Sequence, residues 1–270
     1  MPTAHPLLQH LFDAAMAAAD PYHLVAPHLP PPPKGRTLVL GAGKAAARMA
    51  EAVERHWQGP PDRLDGLVVT RYGHGAPTRH IEVIEAGHPV PDAAGEDAAR
   101  RMLEAAAGLG PDDLVLCLMS GGGSALLALP APGIGFDEKR ALNRELLRCG
   151  VPIGEMNRVR RHLSAIKGGR LALACHPARV VTLVVSDVPG DDPAVVASGP
   201  TLPDGSTGLD ALAILEKYAI PVSEQLRAVL LDARLAAPLP DDPRLVRNET
   251  RIIVTAQQSL DAAAAAARAA

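Results

Sequence analysis

The chain has little of what marks several common protein classes. Cysteine is scarce: Cys117, Cys149 and Cys175 are the three present in 270 residues. They fall in no CxxC spacing, and an odd number without a secretory segment argues against a disulfide scaffold and for a reducing, cytoplasmic setting. Charge of one sign is lacking too. The 27 Lys and Arg stand against 30 Asp and Glu, for a net charge of -3 and a pI near 6.4, and the basic residues are scattered, which argues against a nucleic-acid partner. No apolar run approaches the roughly 20 residues that span a bilayer, so a membrane location has no support. Met1 to Asp20 sets His5 and His10 among apolar residues and has no basic region followed by a continuous apolar one, so the sequence reads as not exported. His74, His80 and His88 lack both the i, i+4 pairing and the cysteines of a zinc site and read as loop or cleft residues. A small anionic ligand is compatible with all of this, because it needs only a local basic pocket.

What is present is an alternation of strand and helix patterns, with 47% hydrophobic residues to fill a core. Leu7 to Ala19 has a helical pattern, and Pro30 to Pro33 then imposes an extended spacer. Strands are expected at Thr37 to Leu40, Leu67 to Thr70, Ile81 to Glu85, Leu114 to Met119, Val180 to Val185 and Arg251 to Thr255. Helices are expected at Asp92 to Ala107, Asp137 to Arg148 and around Met156 to Leu173, the last broken at Gly168-Gly169. Such alternation favours a mostly parallel sheet covered on both faces, since parallel strands need crossovers and helices are the usual crossover. Near the C-terminus, Pro238, Pro240 and Pro243 suggest a linker. The strand and alanine-rich run beyond it read as a βα unit without its continuation.

The densest chemical signal is Ser120-Gly121-Gly122-Gly123-Ser124. Three glycines in a row at a strand's carboxyl end suit a backbone that must approach a ligand closely, and clustered amides with two hydroxyls suit a phosphate. A second glycine turn, Gly41-Ala42-Gly43-Lys44-Ala45-Ala46, has the GxGxxA spacing of a dinucleotide fingerprint, and Arg71 after the next strand is consistent with NADP. Lys44 within the turn instead points to a transferred phosphoryl group. The turn is not a Walker A motif, because Leu38 stands where a glycine belongs and Ala45 where Ser or Thr would bind magnesium. Positive charge gathers in Arg158 to Arg170, either as a solvated helix face or as a group of cations converging next to the double glycine. Asp187 sits at the tip of a β-branched strand, where a carboxylate can hold magnesium or accept the proton of a substrate hydroxyl. Asp191 and Asp192 read as caps of the next helix.

Taken together, Gly41 to Ala45, Glu85 to Asp92, Ser120 to Ala125, Asn157 to Leu171 and Ser186 to Asp191 resemble the glycerate 2-kinase family, whose members often carry a hydroxypyruvate reductase label. The resemblance implies an α/β, Rossmann-like domain, here residues 1–240, with 241–270 as a linker and the truncated start of a second α/β domain called MOFRL. It further implies ATP-dependent phosphorylation of D-glycerate to 2-phosphoglycerate with magnesium, in a cleft between the two domains. By the same resemblance Lys44 and Asp187 are the catalytic candidates, with Asp187 the metal candidate. Gly41, Gly43, Ser120, Gly121, Gly122, Gly123 and Ser124 form the nucleotide cradle, and His88, Asn157, Arg160, His162 and Lys167 supply substrate contacts. A homodimer stays open. Two other classes compete: an NADP-dependent hydroxyacid reductase, supported by the Gly41 to Ala46 spacing and Arg71, and a non-catalytic anion-binding fragment.

Overall fold

Short apolar runs separated by amphipathic stretches long enough to cross over a sheet decide the layout. The computed structural model describes residues 6–270; His5, and with it part of the reading of the N-terminus, lies outside the described residues. The chain begins with α1 (Pro6–Ala18) and α2 (Pro21–Leu24) and passes through the proline spacer into β1 (Thr37–Ala42). It continues with α3 (Ala46–His56), β2 (Leu64–Arg71), β3 (Ile81–Ala86), α4 (Ala93–Ala106) and β4 (Leu114–Ser120). Then come α5 (Gly123–Leu126), α6 (Phe136–Arg148), α7 (Ile153–His162), α8 (Arg170–Ala174) and β5 (Arg179–Val185). The last elements are α9 (Gly208–Lys217), α10 (Glu224–Leu231), β6 (Glu249–Val254) and α11 (Ala256–Ala269).

The six strands form one sheet in the order β3-β2-β1-β4-β5-β6, and every neighbouring pair is parallel. β1 and β4 are buried along their whole length, as expected of central strands covered on both faces. Side chains alternate between two cores. Leu38, Leu40, Val115, Cys117 and Met119 face Ala98, Met102 and Leu171 of α4 and α8. Val39, Leu114, Leu116, Leu118 and Leu183 face Met49, Ala50 and Val53 of α3. A third core lies away from the sheet, where Leu142, Leu146, Val159, Leu212, Leu215 and Leu226 of α6, α7, α9 and α10 pack together. Sequence periodicity marks only part of this helical layer; α9 begins with a Thr207–Asp210 capping box that gives its start.

Residues 241–270, assigned from sequence to a linker and a second domain, supply β6, which pairs with β5 at the edge of this sheet. They also supply α11, which packs against α1. Strand order reverses between β1 and β4, so the crevice outside the carboxyl ends of these two strands is where an open parallel sheet gathers ligands. Among the described residues no helix is long and apolar enough to cross a membrane.

Candidate functional site

Both glycine turns open onto that crevice and are stitched to each other. The Lys44 N–H donates to the Gly121 carbonyl at 2.8 Å, and the Ala45 N–H donates to Ser120 Oγ at 3.0 Å. Gly43 adopts φ +135°, and a Cβ there would collide with Ser120. A side chain at this position would therefore pry the two strands apart as well as strain the backbone. Gly122 adopts φ +88°, and its Cβ would stand 2.9 Å from His88 Nε2 and 3.2 Å from Lys44 Cγ. The bare backbone of Gly122 thus lies between a histidine and a lysine. The first amides of α5, at Gly123 and Ser124, have no intrahelical acceptor.

Lys44 and Asp187, distant in sequence, meet at this point: Lys44 Nζ lies 3.1 Å from Asp187 Oδ2. Their side chains are 42% and 51% exposed, so the pair stands in solvent and contributes little to stability. A Cβ on Gly121 would fall on the Asp187 carboxylate, which places Asp187 against the first residue of the triple glycine. Ser120 is buried with its hydroxyl oxygen already accepting from Ala45, whereas Ser124 Oγ shares a 2.7 Å hydrogen bond with Ser198 Oγ. Asp192 accepts from the Ala194 N–H, as a cap of the turn that follows.

Beside the turns lies a cleft of about 520 Å³, lined by His88, Val90, Ser124 and Lys167 and by Arg160 of α7. Phe136, Lys139, Arg140, Asn143, Arg144 and Leu147 of α6 form its far wall. None of its lining side chains is acidic. Burial, reinforced by the charges of Lys44 and Arg71, pushes the His88 imidazole below its ordinary value, so it is neutral at pH 7. Burial also lowers the Arg160 guanidinium, whose Nε donates to Asn143 Oδ1 at 3.1 Å.

Of the substrate contacts expected from sequence, His88, Arg160 and Lys167 line the cleft. Asn157 and His162 are buried and do not line it. His162 Nε2 is 3.0 Å from Ser206 Oγ, and burial, with the nearby Arg170 charge, lowers its pKa to about 4. The basic run around them turns inward. Arg161 pairs with Asp204 and donates to the Ala194 carbonyl at 2.7 Å, while Arg170 donates to the carbonyls of Arg161, Lys167 and Leu235. Arg161 ties α7 to the segment 194–206, and Arg170 ties the start of α8 to α7 and to Leu235, which neither sequence reading of the run anticipates. Arg71, the NADP-type residue, is bonded to the His74 ring. Sequence reading passed over the α6 wall, although Lys139, Arg140, Asn143, Arg144 and Leu147 fall at i, i+1, i+4, i+5 and i+8 and so share one helix face.

The fold is thus a parallel α/β sheet with two glycine turns at its switch point and an acid-free cationic cleft beside them. Residues 7–231 match the family described as a domain of unknown function (DUF4147), and the chain belongs to that family. It is 46% identical over 218 residues to a D-glycerate 2-kinase of Thermotoga maritima, covering 80% of this chain and 52% of that protein. An Agrobacterium vitis protein that bears a hydroxypyruvate reductase name is 50% identical over 265 residues, 98% of this chain and 59% of that one. The crystal structure of glycerate kinase from Thermotoga maritima superposes with a TM-score of 0.86 at 40% identity, covering 97% of this chain and 62% of the other. The chain thus spans about half to three fifths of the length of these relatives.

Proposed function

We propose that the chain carries the phosphate-handling half of a glycerate 2-kinase, which phosphorylates D-glycerate at O2 with ATP to give 2-phosphoglycerate. The observation that carries this reading is the Lys44–Asp187 pair, 3.1 Å apart against the glycine turn, with the acid-free cleft beginning at the adjoining Gly122 and His88. The names of the Thermotoga relatives support it. The amides at Gly123 and Ser124 and the Lys44 ammonium bind and orient the transferring phosphate, and Lys44 offsets the charge that develops on it. In the transfer, the substrate O2–P bond forms as the bond from phosphorus to the leaving ADP oxygen breaks, and the hydroxyl proton passes from O2 to Asp187 or to solvent. The cleft holds the acceptor's carboxylate and keeps water from competing.

Among the described residues no group of three His, Cys, Asp or Glu side chains could hold a metal by itself, so the magnesium of this reading would come with the nucleotide. Asp187 offers one carboxylate at a strand tip, which suits an ion held otherwise by phosphates and water. Such an ion, when bound, neutralises phosphate charge. Asp187 either holds that ion or accepts the O2 proton. With Asp187→Asn, a raised magnesium requirement supports the first role, and lost turnover at an unchanged requirement supports the second.

Residues 1–240 form the kinase domain in this reading, and 241–270, read as a linker and the start of a second domain, add β6 and α11 to the same sheet and to α1. D-Glycerate and ATP are the partners, in the cytosol; a homodimer is left to sedimentation measurements. The test is 31P NMR of a mixture of ATP, magnesium and D-glycerate with the protein. Appearance of the 2-phosphoglycerate resonance supports the reading, and NADPH-dependent reduction of hydroxypyruvate in its place overturns it.

A further inference from the structure

Lys139 has no part in the chemistry above. It sits in the first turn of α6, where the positive end of the helix dipole disfavours a cation, and it is only 4% exposed. Its Nζ donates to the carbonyls of Ala128 and Leu129 at 3.1 and 2.8 Å. Lys167, also buried, donates to the Ser124 carbonyl at 2.6 Å. The two amines therefore grip opposite ends of the segment that leaves the glycine turn, and both line the cleft.

Neither amine has a carboxylate partner; the lysines in ion pairs among the described residues are Lys44 and Lys217. Buried cations without a counter-charge are costly and tend to lose their protons. The charges facing Lys139 are Glu96 of α4, which favours the ammonium, and Arg170 and Lys167, which oppose it; Arg140, Arg144 and Arg160 add to the positive field of the cleft. Burial lowers Lys139 to about 7, and burial with the charges of Lys139, Arg160 and Arg161 lowers Lys167 well below the ordinary range. As an ammonium, Lys139 has one N–H beyond the two carbonyls it meets, and Lys167 meets only one carbonyl.

We propose that Lys139 and Lys167 form a proton-coupled carboxylate site, in which a small organic acid binds against the two amines and Lys139 takes up a proton from solvent as it does so. The anion supplies the missing counter-charge, and the cleft binds acids more tightly as pH falls. The choice of D-glycerate as probe rests on the kinase reading; the site itself does not.

Calorimetric titration of the whole chain with D-glycerate, in pairs of buffers that differ in ionisation enthalpy, counts the protons. The ligand carboxylate is fully ionised throughout. Uptake should approach about one proton per site at pH 8 and fall to a small fraction at pH 6, with affinity roughly tenfold tighter at pH 6. Lys139→Arg, permanently charged, should bind at pH 8 without proton uptake and with a flat pH dependence. Lys139→Met should weaken binding at pH 6 roughly tenfold or more. Because both substitutions touch a packed site, the proton count of the unmodified protein decides even where a variant fails to fold. Binding without proton uptake, or uptake that persists in Lys139→Arg and so belongs to His88 or Lys167, overturns the proposal. Failure of both D-glycerate and L-lactate to bind overturns it as well. ATP binding that depends on Lys44 alongside proton-free acid binding removes this site and leaves the kinase reading; proton-coupled acid binding without ATP binding does the reverse.

Discussion

The two walls of the cleft are built by opposite means. On the sheet side, the walls are backbone: glycines at positive φ, short hydroxyls, and one ion pair standing in solvent. On the helical side they are long cations drawn inward: Lys139 and Lys167 line the cleft, are no more than 4% exposed and have no acid partner, while Arg161, which does not line it, is 5% exposed and pairs with Asp204. A bare backbone can approach a phosphate from any substrate, so the sheet side suits a common donor such as a nucleotide. Fixed, desolvated charges are spaced by their helices, so the helical side suits the recognition of one particular acid. The same contrast assigns the energy. Exposed Lys44–Asp187 contributes little to folding and, in the proposed kinase, acts in the chemistry, while the buried charges weigh on folding.

The largest effect that would sharpen the contrast is Arg161→Ala. It leaves Asp204, 14% exposed, without its cation and removes the bond to the Ala194 carbonyl. Unfolding in urea should show a loss of about 3–5 kcal/mol; a loss below about 1 kcal/mol would make this pair no different from a surface one. On the other wall, Lys44→Ala should leave the unfolding midpoint nearly unchanged and lower turnover of the full-length enzyme roughly a hundredfold or more. Wild-type turnover would remove Lys44 from the reaction.

pH separates the walls next. His162 has a folded pKa of about 4, below its unfolded value of about 6.5. Between those values the unfolded chain binds the proton and the folded one does not, so stability is complete above about pH 6.5 and is lost as pH falls toward 4. From pH 6.5 to 5 this slope amounts to about 2 kcal/mol, and it should disappear in His162→Gln; an unchanged slope would mean that His162 accepts its proton while folded. The smallest effect belongs to the exposed Arg148–Glu145 pair. Arg148→Ala should change stability by less than about 1 kcal/mol, and a larger loss would undo the division between buried and exposed charge.

The sheet wall was legible in the sequence, and the helical wall was only partly so, for a physical reason. Glycine triplets and β-branched runs report local constraints, so Gly41 to Lys44, Ser120 to Ser124 and Asp187 could be placed at strand tips before any contact was known. Whether a basic residue points outward or inward is decided by packing of elements far apart in sequence. The run from Arg158 to Arg170 therefore concealed that Arg161 reaches Asp204 and that His162 reaches Ser206. Lys139 looked like any helix lysine, because the carbonyls that hold it belong to the loop after the glycine turn. Strand β6 was read correctly as a strand, but no local signal said that its neighbour would be β5.

The central claim is that the glycine-lined crevice with Lys44 is a nucleotide-phosphate cradle. Titration calorimetry of this chain with ATP and magnesium, and separately with NADPH, tests it most directly. The account expects ATP to bind in preference, with the heat lost in Lys44→Ala while the variant stays folded. Preferential binding of NADPH, or ATP binding indifferent to Lys44, would contradict it.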